Sequence, residues 1–223
     1  MLKLVILDAG DVIYDSKYIM KKFYEEYEKF FKKFGIDPKE DEKLWMKYYK
    51  KVQKGKISLR KARELIFEKL GIPKSKLKEW LRIDREIKMK YIRPFKNAKG
   101  VMRKIRKIGL RIAILSDTAV PSSWRIQMSR KIGIVEGREY DKGFYSNVIG
   151  YVKPEKKAYL TVLKYFNVKP SEAIFVGHDK EEIEGAKRVG IKTIAFREKV
   201  RAADFYAKDW NEIYQIVKIL KKI

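Results

Sequence analysis

The chain of 223 residues contains no cysteine and a single histidine, His178. Without cysteine, disulfide bonds, thiolate metal ligands and a cysteine nucleophile are excluded. The chain also lacks an apolar run of the length that crosses a bilayer. It leaves no room for a signal peptide before its first apolar segment, Leu4–Leu7. We therefore expect a cytoplasmic protein with no membrane attachment.

Acidic residues are scarce relative to basic ones. The chain carries 54 lysine and arginine residues against 29 aspartate and glutamate residues, a formal net charge of +25. Such an excess attracts phosphates, nucleic acids and other polyanions. The basic residues are spread along the whole chain, however, and no helix-turn-helix or basic–aromatic motif accompanies them. A small anionic substrate is therefore favoured over a nucleic-acid partner. The lysine-rich composition without cysteine is also typical of proteins from thermophiles.

Apolar runs predict the strands of an α/β protein. The run Leu4–Leu7 predicts a strand buried on both faces, as in parallel sheets. After Phe95, predicted helices alternate with further short apolar strands. Repeated strand, helix and parallel strand units predict a doubly wound, Rossmann-like parallel sheet. The later predicted strands cover residues 110–115, 144–149, 173–176 and 192–196.

One long segment of the chain shows no strand pattern. From residue 16 to residue 92 the apolar residues recur at helical spacing, and glycines stand at the ends of predicted helices. We therefore divide the chain into an α/β core domain, residues 1–15 and 93–223, and an all-helical domain inserted into it, residues 16–92.

Polar side chains follow three of the predicted strands. Asp8 comes after the first strand, Ser116 after the second, and His178 and Asp179 after a later one. Ligands of open α/β sheets bind beyond the carboxyl ends of the strands. An aspartate before a glycine is common in ordinary turns, so Asp8 alone carries little weight. Together with Lys153 on a nearby loop, however, these residues predict one polar crevice.

These segments resemble the haloacid dehalogenase-like hydrolases over nearly the whole chain. Members of this family begin with an apolar strand that ends in a nucleophilic aspartate, matched here by Asp8. Their second motif has a serine or threonine at a strand end, matched by Ser116, and their third has a lysine before proline, matched by Lys153. The fourth motif is matched by residues 177–186, with His178 in the usual place of an aspartate. The helical insertion resembles the cap that closes over the substrate in this family.

The resemblance implies a phosphatase that acts on a small phosphorylated metabolite. Asp8 would attack phosphorus and form an aspartyl phosphate. A Mg²⁺ ion held by Asp8, the Gly10 backbone carbonyl and Asp179 would bring the two anions together, with Mn²⁺ or Co²⁺ as alternatives. Ser116 would hydrogen-bond a phosphoryl oxygen, and Lys153 would offset negative charge. The predicted substrate-binding residues are Gly10, Asp11, Ser116, Asp117 and Lys153.

Gly10 departs from the family pattern, which usually has a second aspartate two positions after the first. A glycine can offer its carbonyl to a metal, but it cannot protonate a leaving group or activate water, which is worth roughly 10²–10⁴-fold in rate. Asp11, Asp15 or the helical insertion would have to substitute. Otherwise the substrate needs a good leaving group, such as a sugar anomeric phosphate or an acyl phosphate.

His178 is the second departure from the pattern. Neutral imidazole is a poor ligand for Mg²⁺, which prefers carboxylates and water. Asp179 is adjacent and Glu182 lies one helical turn onward, so we expect Asp179 to bind the metal directly and Glu182 to assist. Two alternatives stay open. His178 could bind Mn²⁺, Co²⁺ or Zn²⁺, or it could turn away and hydrogen-bond at the start of a helix.

Two other functions compete with the phosphatase. One is a metal-independent 2-haloacid dehalogenase in which Asp8 displaces halide; the acidic residues near the fourth motif argue against it. The other is a non-catalytic protein that binds a polyanion or a partner. Retention of Asp8, Ser116 and Lys153 together argues against that loss of activity. The sequence does not identify the substrate or the oligomeric state.

Overall fold

Six parallel strands form one central sheet in the structure, a computed structural model that describes residues 1–222. The strands are β1 (Leu4–Leu7), β2 (Arg111–Ser116), β3 (Lys142–Tyr145), β4 (Ala173–Gly177), β5 (Lys192–Phe196) and β6 (Phe205–Ala207). Their order is β3-β2-β1-β4-β5-β6, and every neighbouring pair is parallel. The chain therefore proceeds outward from β1 in both directions, which confirms the predicted doubly wound fold.

Helices occupy the insertion and both faces of the sheet. None of the described helices combines the length and the apolar composition that a bilayer crossing requires. Those between β1 and β2 are α1 (Ser16–Lys32), α2 (Pro38–Gln53), α3 (Leu59–Lys69), α4 (Leu77–Tyr91) and α5 (Ala98–Lys107). The later ones are α6 (Ser122–Lys131), α7 (Ser146–Ile149), α8 (Lys156–Phe166), α9 (Lys180–Arg188) and α10 (Trp210–Lys222).

Both faces of β1 are buried, which explains its unbroken apolar run. Val5 and Leu7 belong to a hydrophobic cluster that includes residues of α5 and α10. Leu4 and Ile6 belong to a second cluster, on the other face, that includes residues of α8 and α9. Successive side chains of a strand point to opposite faces, so all four are removed from solvent. This burial holds the carboxyl end of β1 firmly in place.

The insertion has a hydrophobic core of its own, which contains one buried ion pair. Nη1 of Arg63 lies 2.7 Å and 2.9 Å from the two carboxylate oxygens of Asp41. The guanidinium is also sandwiched between the rings of Trp45 and Trp80, at 4.2 Å and 4.1 Å from their centroids. Between residues 16 and 92 the structure shows helices and no strands, while the domain boundaries themselves stay a prediction.

Two strand predictions differ from the structure. The strand expected over residues 144–149 is wrong beyond Tyr145, because Ser146–Ile149 forms the short helix α7. There the Ser146 hydroxyl accepts a hydrogen bond from the Thr118 backbone N–H at 2.9 Å, which ties the chain to the end of β2. β6 was not predicted, since its three residues are too few to show a pattern.

Candidate active site

Asp8 immediately follows β1 and continues its ladder. Its backbone N–H donates to the Val176 carbonyl at 2.9 Å, and its side chain is buried. Oδ1 accepts hydrogen bonds from Nζ of Lys153 at 2.6 Å and from the Ala9 N–H at 2.8 Å. Burial disfavours the charge on this carboxyl, but Lys153 and His178 outweigh that effect and hold the pKa of Asp8 below its usual value. Asp8 is therefore ionised at neutral pH.

Lys153 lies on the loop between α7 and α8, and its side chain is almost fully buried. Besides Asp8, its ammonium faces Oε2 of Glu182 at 3.1 Å. Burial opposes the charge on the ammonium, but Asp8, Glu182 and Asp117 reverse that effect and raise the pKa of Lys153 above its usual value. The backbone N–H of Lys153 donates to the Asp117 carboxylate at 3.1 Å, which fixes the loop against the end of β2.

Ser116 and Asp117 stand at the carboxyl end of β2, the neighbour of β1. The Ser116 side chain is buried, with its hydroxyl 3.5 Å from the Asp117 carbonyl oxygen. Burial raises the pKa of Asp117 to about 6, although Lys153 lowers it. The structure thus brings Asp8, Ser116, Asp117 and Lys153 to one edge of the sheet, as the strand order requires.

His178 faces two carboxylates. Its Nδ1 lies 3.4 Å from Oδ2 of Asp8, and its Nε2 lies 3.7 Å from Oδ2 of Asp11. Nδ1 is buried and has no hydrogen-bond partner within residues 1–222. The Asp8 carboxylate raises the pKa of His178 above its usual value, against the opposing effect of burial. His178 therefore stands beside the Asp8 oxygen that Lys153 leaves free.

Gly10 and Asp11 form the loop between β1 and α1. Asp11 has a left-handed backbone, with φ of 55°. Its carboxylate accepts hydrogen bonds from the Ser16 hydroxyl at 2.7 Å and the Ser16 N–H at 3.0 Å. A Cβ atom at Gly10 would lie 3.2 Å from Oγ of the same serine. The packing of Ser16 thus disfavours a side chain at position 10.

Asp179 uses its carboxylate to begin a helix. Oδ1 accepts hydrogen bonds from the backbone N–H groups of Glu181 at 2.8 Å and Glu182 at 3.1 Å, so Asp179 is the N-cap of α9. The residue is exposed. Within residues 1–222, the structure shows no ion pair or hydrogen bond between this side chain and the other predicted site residues.

Glu182 is the carboxylate that α9 does bring to the site. The side chain is half-buried beside Lys153. Burial, with a smaller contribution from Asp8, raises the pKa of Glu182 to about 7, and Lys153 partly opposes this. Its position, one turn after the start of α9, was the sequence signal for it.

The side chains at the site offer few oxygen ligands to a divalent cation. Among residues 1–222 no group of three or more histidine, aspartate or glutamate side chains could hold a metal ion. The Asp8 carboxylate faces Lys153 on one oxygen and His178 on the other, and Asp179 caps α9. These residues do not fit a preformed Mg²⁺ site, which needs several oxygen ligands around one point. Magnesium binding by Asp8, Gly10 and Asp179 stays a prediction.

Arg125 of α6 was missed by the sequence analysis. Its Nε donates to Oγ1 of Thr118 at 3.0 Å, and its Nη1 donates to the Tyr14 hydroxyl at 2.5 Å. Thr118 and Tyr14 follow the ends of β2 and β1, so Arg125 joins the two loops that carry Ser116 and Asp8. No motif marked this arginine, because it lies in the middle of a polar helix.

A cavity of about 430 Å³ opens beside His178. Its lining includes Asp11 and His178 together with three basic side chains, those of Lys17, Lys21 and Arg197. Lys17 is paired there with Glu198 at 3.0 Å. The cavity lies at the carboxyl ends of β1 and β4, and its volume is sufficient for a small metabolite.

Curated relatives of the chain include phosphatases. Glyceraldehyde 3-phosphate phosphatase of Pyrococcus furiosus is 31% identical over 143 residues, which cover 60% of this chain and 58% of that protein. The protein of the same name from Methanopyrus kandleri is 23% identical over 202 residues, covering 88% of this chain and 84% of the relative. The chain spans 58% and 45% of the length of the two Pyrococcus relatives that it matches.

Solved structures share the fold over almost the whole chain. A 2-haloacid dehalogenase from Pseudomonas syringae superposes with a TM-score of 0.74 at 15% identity, covering 99% of this chain and 100% of that chain. A HAD phosphatase from Thermococcus onnurineus gives 0.67 at 19% identity, covering 97% and 98%. At these identities the likeness concerns the fold alone. A family model of haloacid dehalogenase-like hydrolases matches residues 2–190, and the chain belongs to this family.

Proposed function

We propose that the chain is a phosphatase that hydrolyses a small phosphorylated metabolite through an aspartyl-phosphate intermediate on Asp8. The observation that carries the proposal is the buried, ionised Asp8 carboxylate, whose Oδ1 is held by the Lys153 ammonium at 2.6 Å. Such a group is a fixed nucleophile with an adjacent positive charge. The names of the curated relatives, which are phosphatases, support the same reaction.

In the first step Oδ2 of Asp8 attacks the phosphorus atom. Oδ1 is occupied by Lys153 and the Ala9 N–H, so Oδ2 is the oxygen left to react. As the new P–O bond forms, the bond to the leaving oxygen breaks, and this oxygen takes a proton from solvent. Phosphoryl transfer is accelerated chiefly by positioning and by neutralisation of spread negative charge. Lys153, His178 and the Ser116 hydroxyl provide these effects.

In the second step water attacks the phosphorus of the aspartyl phosphate. The P–O bond to Asp8 breaks, the carboxylate is restored, and both protons of the water leave with the phosphate as dihydrogen phosphate. Lys153 stabilises the returning negative charge on Asp8.

A divalent cation is implied by the family and supplies a Lewis acid where it binds. In this chain Asp8 and the Gly10 backbone carbonyl would be the oxygen donors, and Nδ1 of His178 lies 3.4 Å from Oδ2 of Asp8. Since these residues do not fit a preformed site, the two steps rely on the charges of Lys153 and His178. The dependence on Mg²⁺, Mn²⁺ or Co²⁺ that the family resemblance implies is tested by metal removal.

The experiment is a screen of phosphorylated metabolites for phosphate release, with Asp8→Asn as the blank. The panel contains glyceraldehyde 3-phosphate, a sugar 1-phosphate and an acyl phosphate, each with Mg²⁺, with Mn²⁺ and with EDTA. We expect release that disappears in Asp8→Asn, and a mass increase of one phosphoryl group on the intact protein after rapid acid quenching. Equal release from Asp8→Asn, or none under any condition, would contradict the proposal.

A second candidate function is 2-haloacid dehalogenation. The observation that favours it is the absence of an acid at Gly10 together with the lack of a metal-holding group among residues 1–222. Asp8 would displace halide from carbon and form an ester that water cleaves. The same Asp8→Asn blank, with a 2-haloacid as substrate and halide release as the readout, separates this function from the phosphatase.

A further inference from the structure

Arg125 is a cation without an acidic partner at the junction of the core and the insertion. No carboxylate lies within 4.0 Å of it in the described part of the chain, residues 1–222. Its two hydrogen bonds go to the neutral oxygens of Thr118 and Tyr14, and its Nη2 donates none within the same residues. Arg63, by contrast, is paired with Asp41 inside the insertion.

The neighbours of Arg125 hold its side chain in one position. Thr118 and Tyr14 are both buried, at 1% and 2% exposure. Thr118 is itself fixed, because its backbone N–H donates to Ser146 and its hydroxyl donates to the Val120 carbonyl at 3.0 Å. A guanidinium has five N–H donors in a planar fork. Two contacts orient this fork, and the donors of Nη2 stay available to a ligand.

Arg125 stands beside the loops that carry Asp8 and Ser116. Its two partners, Tyr14 and Thr118, lie on the loops that follow β1 and β2. The Tyr14 carbonyl also accepts a hydrogen bond from the Asp11 N–H at 2.8 Å, within the loop that begins at Asp8. The guanidinium is therefore held next to the loops of the proposed site.

Lys88 of α4, on the insertion side of the junction, already has an acidic partner. Its ammonium pairs with Asp84 and lies 4.4 Å from the centroid of the Phe23 ring. Arg125 has no acidic partner of this kind among residues 1–222.

We propose that Arg125 binds a second anionic group of the substrate, so that the preferred substrates are phosphomonoesters that also carry a carboxylate or another phosphate. This inference rests on the proposed function for the identity of the reacting group. The planar fork of arginine matches both carboxylate and phosphate oxygens, usually through two parallel hydrogen bonds. Arg125 is a specificity residue that touches the distal end of the substrate.

The test compares substrates that differ in the distal group. The first arm uses 3-phosphoglycerate, the second fructose 1,6-bisphosphate, and the third glycerol 3-phosphate, which lacks a second charge. We expect Arg125→Gln to raise KM for the charged substrates roughly 10- to 100-fold, as loss of hydrogen bonds to a charged group does. The readout is the ratio of KM for each charged substrate to KM for glycerol 3-phosphate, because loss of the contacts with Tyr14 and Thr118 would affect all three substrates alike. The first two arms separate a carboxylate from a second phosphate.

Two further variants keep the result interpretable. Arg125→Lys keeps the charge and loses the fork, so it should retain part of the preference even if Arg125→Gln folds poorly. Arg85→Gln is the matched control, since Arg85 of α4 lies at the same junction and bonds the Gln127 side chain at 2.7 Å. It should leave the preference unchanged.

Binding to Asp8→Asn, measured by calorimetry with the same three compounds, does not depend on turnover. Tighter binding of the charged compounds, lost when Arg125→Gln is added, supports the inference even if no phosphate is released and the proposed function fails. Equal binding of charged and uncharged compounds, or a preference that survives Arg125→Gln, overturns the inference and leaves the phosphatase proposal standing.

Discussion

Nδ1 of His178 lies 3.4 Å from Oδ2 of Asp8, while Nζ of Lys153 lies 2.6 Å from Oδ1 of the same carboxylate. Each oxygen of the Asp8 carboxylate thus faces a different basic side chain. Both neighbours lower the pKa of Asp8, and Asp8 raises the pKa of His178. Attack on a phosphate dianion needs positive charge close to both reactants. In this chain two side chains are in position to provide it.

The first prediction concerns metal removal. We expect phosphate release by the wild-type protein to persist in EDTA, because His178 and Lys153 already flank Asp8 and no metal-holding group is present among residues 1–222. His178→Asp should introduce a dependence on Mg²⁺, since it places a third carboxylate beside Asp8 and Asp11. Steady-state rates with and without EDTA, and Mg²⁺ titration calorimetry of both proteins, check this.

If a new metal site has formed, Mg²⁺ should also raise the thermal unfolding temperature of His178→Asp, because a ligand that binds only the folded state stabilises it. The unfolding temperature of the wild type should not respond to Mg²⁺. Loss of wild-type activity in EDTA, restored by Mg²⁺, would instead support the metal set predicted from the sequence.

The second prediction concerns Asp179. Since its carboxylate caps α9, Asp179→Ala should lower the free energy of unfolding by about 1 kcal/mol. Asp179→Asn should cost far less, because asparagine caps helices as well as aspartate does. Urea unfolding of the two variants measures the difference. If Asp179 bound the catalytic metal, both variants would lose activity and Asn would not rescue it.

The contrast between His178 and Asp179 shows where prediction of the site from sequence ends. Parallel strands end at the same edge of the sheet, so Asp8, Ser116 and Lys153 could be expected to lie near one another. Lys153 contacts Asp8 at 2.6 Å, and Ser116 ends the strand that pairs with β1. Which of two adjacent side chains turns toward Asp8 depends on the first turn of α9, which recruits Asp179 as its cap. The order of residues in the sequence does not determine which of these two side chains faces Asp8; the backbone geometry at the start of α9 does.

Some parts of the fold were likewise predictable from the sequence and others were not. β1, β2, β4 and β5 were predictable because each is an apolar run buried by helices on both faces. The course of the chain after Tyr145 was not, since the bond between the Ser146 hydroxyl and Thr118 is a contact between residues far apart in sequence. Arg125 was missed for a related reason: its role comes from Tyr14 and Thr118, which only the folded chain places around it.

The third prediction concerns the leaving group. With no acid at Gly10, turnover should fall as the pKa of the leaving alcohol rises, so that acyl phosphates and sugar 1-phosphates react faster than simple alkyl phosphates. General acid catalysis is worth roughly 10²–10⁴-fold, which sets the size of the expected difference. A series of phosphate esters with graded leaving groups measures it, and equal rates across that series would count against the prediction.

The same prediction can be tested by introducing an acid at position 10, where the family pattern has an aspartate. In Gly10→Asp alone, the new side chain makes a close contact with Ser16, because a Cβ at position 10 would lie 3.2 Å from the serine Oγ. Combined with Ser16→Ala, it should raise turnover of alkyl phosphates more than turnover of acyl phosphates. Ser16→Ala alone is the control.

The fourth prediction is a pH dependence of stability from Glu182. Burial raises its pKa to about 7 in the folded state, from 4.5 as the ordinary value. The folded protein therefore holds this proton more tightly than the unfolded chain does. The resulting stabilisation is complete below pH 4.5 and is lost as pH rises through about 7.

Glu182→Gln, which cannot ionise, should remove this part of the pH profile. Relative to the wild type it should be more stable at pH 8 than at pH 4, since these two values lie on either side of the titration window. Urea unfolding at the two pH values gives the comparison, with Glu181→Gln, an exposed neighbour on α9, as the control. If the difference between Glu182→Gln and wild type is the same at both pH values, the carboxyl titrates alike in the folded and unfolded chains. The burial beside Lys153 would then have no net effect on its proton.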